Sequence, residues 1–265
     1  MAITTLDQYI AAASQRVTIN KTGSVTAVAL MSTQVLQAAG NPGAGTLAGT
    51  NTAAGVVPDD TVAGFPSINA FGGGATGYIA GISFGGTVAS RISLFDCLFK
   101  AGAYAFNAAT TLASQPSYSA RVLGGTDFTN TEIWIEAVTA FTGNQSIAVT
   151  YTNQSGTTGR TTGTIATGVA PIVGRMLQLP LQAGDTGVQK IESVTSTVST
   201  VGTFNVLVLR RLWSGRVIAA NFGDAHDFLK TGMPQIFDTS ALMAVVQPDS
   251  TATGLFELVA EIVNG

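Results

Sequence analysis

Serine, histidine and aspartate occur in this chain in an order that could support nucleophilic catalysis. Gly81-Ile82-Ser83-Phe84-Gly85 matches the nucleophile elbow G-x-S-x-G, where a serine on a sharp strand-to-helix turn passes its proton to a histidine. His226 is the sole histidine, and Asp185 lies between it and Ser83. The surroundings oppose this chemistry. The intervening sequence alternates as strands, no His-Gly-Gly oxyanion motif precedes Ser83, and a five-residue match arises easily in a chain with 31 glycines. Ser83 is therefore read as part of a Gly-flanked strand.

Two further motifs invite the same test. Asp224-Ala225-His226-Asp227 offers imidazole and carboxylate, both natural metal ligands, but within one turn and without a second cluster to complete a shell. It reads as a polar loop leading into Phe228-Leu229. Gly184-Asp185-Thr186-Gly187 contains the Asp-Thr-Gly triplet of aspartic proteases, whose dyad needs a second copy. Asp127 and Asp238 are followed by Phe128 and Thr239-Ser240, so no second copy is present. A tight turn into a strand at Val188 is expected instead, with Gly184 and Gly187 supplying unusual dihedrals. The sequence thus assigns no catalytic, cofactor-binding or metal-binding residue, and no cofactor.

Charge narrows the partners. Charged residues make up 10% of the 265 residues, against roughly 25% in an average soluble domain, while mean hydropathy is +0.36. Such a neutral surface suits faces buried against other subunits, because a solitary protein relies on net charge for solubility. The net charge of −3 argues against nucleic acid as a partner. The one basic cluster, Arg210, Arg211 and Arg216 around Trp213, is read as solvated strand-end charge. No apolar run approaches the ~20 residues that span a bilayer, so no membrane is expected. The N-terminus lacks the basic and apolar regions of a secretory signal, so synthesis in a cytoplasm is expected. Cys97, the single cysteine, lies among Leu94, Phe95, Leu98 and Phe99 and reads as a buried, inert thiol.

These residues have to be positioned by a largely β chain. Thr4 or Thr5 can cap a short N-terminal helix carrying Leu6, Tyr9, Ile10 and Ala13 at helical spacing. Val17 to Val28 favours strand, and Val28 to Ala39 could be a short helix ending at Gly40. Between Lys21 and Arg91 there is no basic residue, and the only charges are Asp59 and Asp60. This glycine-rich stretch has too little bulky apolar material for a core and too little charge for a solvated linker. It is expected to be an arm ordered on a neighbouring subunit; fully extended, Gly40 to Thr76 reaches on the order of 120 Å.

From Tyr78 onward short strands alternate with turns. Ile133, Ile135 and Ala137 alternate with Glu132, Trp134 and Glu136; Ile147, Val149 and Tyr151 follow a turn at Thr142-Gly143-Asn144. Similar runs occur at Arg91 to Phe95, Thr161 to Ala166, Arg175 to Leu179, Val188 to Thr195, Phe204 to Leu209, Ala241 to Val246 and Leu255 to Ile262. The spacing predicts an all-β fold: a jelly-roll-like antiparallel β-sandwich at residues 77–265, preceded at residues 1–76 by the short helix and extended Gly-rich arm.

Ser146 to Thr162 (SIAVTYTNQSGTTGRTT), Leu181 to Val194 (LQAGDTGVQKIESV) and Val206 to Arg210 (VLVLR) resemble the β-sandwich structural proteins of tailed bacteriophage virions. Arg91 to Asp96 and Gly232 to Phe237 extend the resemblance over Tyr78 to Gly265. It implies a virion component on the head and carries over no catalytic residue.

The expectation is a non-enzymatic capsid decoration or cement protein that is made in the host cytoplasm and resides in the virion. Its partners would be the major capsid protein or other virion proteins and further copies of itself as a homo-oligomer such as a trimer. The alternatives are a tail, collar or fibre component binding a receptor or glycan through Trp134, Trp213 and Tyr151, and a serine hydrolase using Ser83 and His226.

Overall fold

The computed structural model describes residues 3–46, 51–106, 109–141, 144, 146–166, 172–196 and 201–265. The expected turn at Thr142-Gly143-Asn144 falls largely outside them. Leu6–Ala11 forms helix α1, closed by a reciprocal cap in which Thr5 Oγ1 accepts from Gln8 N and Gln8 Oε1 accepts from Thr5 N. The principal strands follow as β1 (Ala13–Lys21), β2 (Gly77–Gly86), β3 (Ser90–Ala105), β4 (Thr131–Thr139), β5 (Ser146–Asn153), β6 (Met176–Leu179), β7 (Val188–Ser196), β8 (Thr203–Val217) and β9 (Phe222–His226). Helix α2 (Phe228–Thr231) then leads to β10 (Leu242–Pro248) and β11 (Phe256–Asn264).

Pairing is antiparallel throughout the described residues, and three sheets result. The central sheet runs β6-β4-β8-β3-β10 and ends on a two-residue strand at Thr33–Gln34. An outer sheet, β9-β2-β11-β1, and a smaller one built on β5-β7 pack against it. The antiparallel β-sandwich expected from the alternation is what forms.

Two strands of the central sheet, β3 and β8, are long enough to serve both packings. At one end Ile92, Leu94, Trp213 and Val217 close on Val17, Ile79, Ile82, Phe84, Leu258 and Ile262 of the outer sheet. At the other end Phe99, Tyr104, Ile133, Val206 and Val208 close on Val149, Tyr151, Ile191 and Val194 of the smaller sheet. The register between β3 and β8 slips between Val208 and Leu209, where Cys97 and Phe99 are the partners and Leu98 is the extra residue. Such a bulge bends the strand. It also keeps Ile92, Leu94 and Phe99 on one face despite the change from even to odd numbering.

The reverse face of the central sheet carries Phe95, Cys97, Trp134, Leu207, Leu209, Met243 and Val245, and these are covered by Leu36 and Phe65. The described residues of the glycine-rich stretch make contacts within their own chain. Asn51–Val56 pairs with β3 beyond the end of β10, the Tyr104 hydroxyl donates to Thr52 O at 2.8 Å, and Ile68 N donates to Asp60 Oδ2 at 2.9 Å. A sheet of the same molecule therefore covers Leu36, Phe65 and the strand Asn51–Val56. The few bulky residues of the stretch cannot make a core by themselves, and they suffice to cap one that already exists.

No helix forms over Val28 to Ala39. Thr33, Gln34, Val35 and Leu36 are all buried in succession, a pattern no surface helix offers. Their backbone groups are taken up by neighbours: Gln34 N donates to Gly174 O at 3.0 Å, and Thr33–Gln34 pairs with β10.

Candidate functional site

The register of the outer sheet brings two of the suspected catalytic residues onto adjoining strands. β9 pairs with β2 so that Ala225 faces Ser83 and His226 faces Ile82. Ser83, His226, Asp227, Tyr9, Arg16, Lys230 and Glu261 line one cleft of about 540 Å³ beneath α1 and α2. Ser83 is exposed and makes no side-chain hydrogen bond among the described residues.

The imidazole is committed elsewhere. Nδ1 of His226 accepts from Trp213 Nε1 at 2.9 Å, the ring packs edge-on against Phe84 at 5.3 Å, and Nε2 stands 3.8 Å from Asp224 Oδ2. A triad needs one imidazole lone pair aimed at the serine and the opposite N–H aimed at the acid. Here the Nδ1 lone pair is occupied by the indole and Nε2 is turned to Asp224. Asp227 caps α2 through Lys230 N at 3.0 Å, with Gly232 closing the helix at φ 68°. Asp224-Ala225-His226-Asp227 is thus a strand end followed by a helix cap. No group of three or more His, Cys, Asp and Glu among the described residues is placed to hold a metal ion.

Asp185 is remote from this cleft in its bonding. It accepts from Tyr151 Oη at 2.6 Å, Asn153 Nδ2 at 2.8 Å and Arg160 Nε at 2.9 Å. The Arg160 guanidinium, with help from Tyr151 and Asn153, holds its carboxyl at about 2. Burial and the same carboxylate push the Tyr151 phenol up to about 12. The carboxylate is a latch for the turn into β7. Gly184 takes φ +89° there, whereas Gly187 is required for a different reason: a Cβ on it would stand 1.8 Å from Phe128 O.

The basic cluster divides. Arg210 is buried and points to the inner face, where its Nη2 lies 3.4 Å from Asp96 Oδ2. Arg121, delivered by the 3₁₀ turn Ser119–Arg121, pairs with the same carboxylate and donates to Cys97 O at 2.8 Å. Asp96 also accepts from Ser240 Oγ at 2.8 Å and Ala241 N at 3.1 Å. Arg211 lies on the opposite face, forked onto Glu132 at 3.0 and 3.2 Å and stacked 4.7 Å above Phe95. Only Arg216, 58% exposed, answers to a solvated strand-end charge. Burial raises the Cys97 thiol to about 12, so it is an inert core residue.

Trp134, Trp213 and Tyr151 are 6%, 5% and 0% exposed. They are packed in the cores and offer no stacking platform for a glycan. No helix of the described residues is long and apolar enough to cross a membrane.

No protein-family model matches the chain, and no curated protein matches it. Among solved structures, that of infectious bursal disease virus Gt strain aligns over 95% of this chain and 80% of its own at 10% identity, with a TM-score of 0.18. The infectious bursal disease virus VP2 subviral particle aligns over 95% and 79% at 11% identity, again with a TM-score of 0.18. At that score the likeness carries no argument.

Proposed function

We propose that this chain is a non-enzymatic structural subunit of a virion, seated on the head as a decoration or cement protein beside copies of itself. The observation that carries the proposal is an apolar ridge on an otherwise weakly charged body. Tyr9 of α1 contacts Phe228 of α2 with ring centroids 5.5 Å apart, which sets the two short helices side by side. Leu6, Ile10 and Leu229 flank that contact at 63%, 71% and 77% exposure. Exposed bulky side chains gathered in one place mark contact surfaces. The resemblance of residues 78–265 to phage sandwich proteins supplies the kind of assembly. The commitment of His226 to Trp213 and of Asp185 to Arg160 favours a structural role over hydrolysis.

Two experiments test this. Gold-labelled antibody against the chain should decorate the whole shell of purified particles; label confined to the tail would replace head decoration by a tail or collar role. Ile10→Lys with Leu229→Lys should abolish incorporation or self-association without moving the melting temperature, since both side chains are exposed. Unchanged incorporation would remove the ridge from the interface.

A further inference from the structure

The reverse face of the central sheet carries a cavity of about 510 Å³ lined by Arg91, Arg211 and Arg216 together with Ser93, Ser214 and Gln247. Its floor is a grid set by strand register. Gln247, Arg91 and Arg216 face one another across β10, β3 and β8; Val245, Ser93 and Ser214 form the next row, and Phe95 and Arg211 the third. Three of the chain's 12 basic residues therefore converge on one cavity of a protein whose net charge is −3.

Their counter-charges are unequal. Glu132 neutralises Arg211 through the fork already described, and Ser93 Oγ accepts from Arg211 Nη1 at 3.1 Å. Arg216 has Asp249 only at 4.0 Å, with both side chains about half exposed. Arg91 has no ion-pair partner among the described residues, yet it stands directly opposite Arg216. Like charges paired across strands destabilise a sheet unless an anion lies between them. Guanidinium groups present paired N–H donors that match oxyanions, the serines and Gln247 add neutral polar groups, and the volume falls in the range of small-ligand pockets, about 300–1,000 Å³.

We infer that this cavity is a binding site for a small ligand carrying a phosphate, sulfate or carboxylate group, held between Arg91 and Arg216. The site stands whether or not the chain is a virion component.

Calorimetric titration of the full chain with sodium phosphate, sodium sulfate and sodium citrate, each against sodium chloride of equal ionic strength, tests it. At least one should bind saturably. Phosphate or sulfate alone identifies a tetrahedral oxyanion, and citrate alone a carboxylate. Arg91→Gln should weaken that binding at least tenfold, while Lys190→Gln, an exposed cation on β7, should leave it unchanged. In chloride alone, Arg91→Gln should melt at or above the wild type, because it relieves the opposition to Arg216. Heats of dilution only with all three salts, equal binding by Arg91→Gln, or a loss of several degrees in chloride would each overturn the site. If Arg91→Gln does not fold, Arg216→Gln carries the same comparison.

Discussion

Asp96 and Arg121 form an ion pair at the seam between the two packings of the central sheet, with side chains 0% and 4% exposed. Arg210 joins from β8, so one carboxylate answers two buried guanidinium groups. Removing the acid strands both cations where water cannot reach them, a loss typically worth about 3–5 kcal/mol. Asp96→Ala should accordingly lower the urea midpoint steeply or prevent recovery of folded protein. A midpoint within experimental error of wild type would show that the seam does not depend on this charge.

Asp185 makes stability depend on acid. Its folded pKa, about 2, lies below the ordinary 3.8. A depressed carboxyl contributes stability above its unfolded pKa and loses it as pH falls through the folded value. The contribution should therefore be complete at pH 5 and vanish between roughly pH 4 and 2. Asp185→Asn should reduce stability at pH 7 by on the order of 1 kcal/mol, allowing for solvent screening, and flatten the melting profile across that window. Parallel profiles for the two proteins would refute the latch.

Gly184 and Gly187 should respond differently to the same substitution. At Gly184 a methyl meets open space, and only the left-handed backbone, at about 1 kcal/mol, opposes it. At Gly187 the methyl meets the Phe128 carbonyl, part of a backbone that cannot swing aside, so a loss of about 2–3 kcal/mol is expected. Melting temperatures of Gly184→Ala and Gly187→Ala rank the two effects; equal losses would mean the close approach is relaxed.

Ser83→Ala should change neither melting temperature nor particle incorporation, and a fluorophosphonate probe should label neither protein. Labelling of the wild type alone would restore a nucleophilic role to Ser83 despite the Trp213 bond to His226.

Deletion of residues 1–76 tests whether the remainder stands as a sandwich by itself. It would remove β1, which pairs with β11 along its whole length, and uncover Phe95, Leu207 and Leu209. The truncated chain should expose apolar surface and bind a hydrophobic dye. A monomeric, cooperatively melting product would establish residues 77–265 as an independent domain.

The strand pattern was legible because alternation reports a sheet's two faces. Alternation separates Ile133, Ile135 and Ala137 from Trp134 and Glu136 but does not reveal that the second face is buried too, under residues far away in sequence. The cap at Thr5 was legible because its partner Gln8 is local. The cap formed by Leu36 and Phe65 was not, since scattered bulky residues among glycines have no period. Arg210 and Arg211 are neighbours in sequence with opposite fates, and pleating alone separates them. Arg91 meets Arg216 solely through the β3 to β8 register, which bulges shift and no local signal encodes. Ser83 and His226 lie on paired strands, but the register sets Ala225 opposite Ser83 and His226 opposite Ile82, and the indole that occupies the imidazole was invisible until the strands were paired.

Because Ser90–Ala105 and Thr203–Val217 each run through both packings, the two halves of the molecule share girders rather than a hinge. A load applied to one half passes into the other along covalent backbone and a ladder of hydrogen bonds that resumes after each bulge. Neither half can swing or be shed separately, so the molecule yields to force as one piece, at the strength of its longest strand pair.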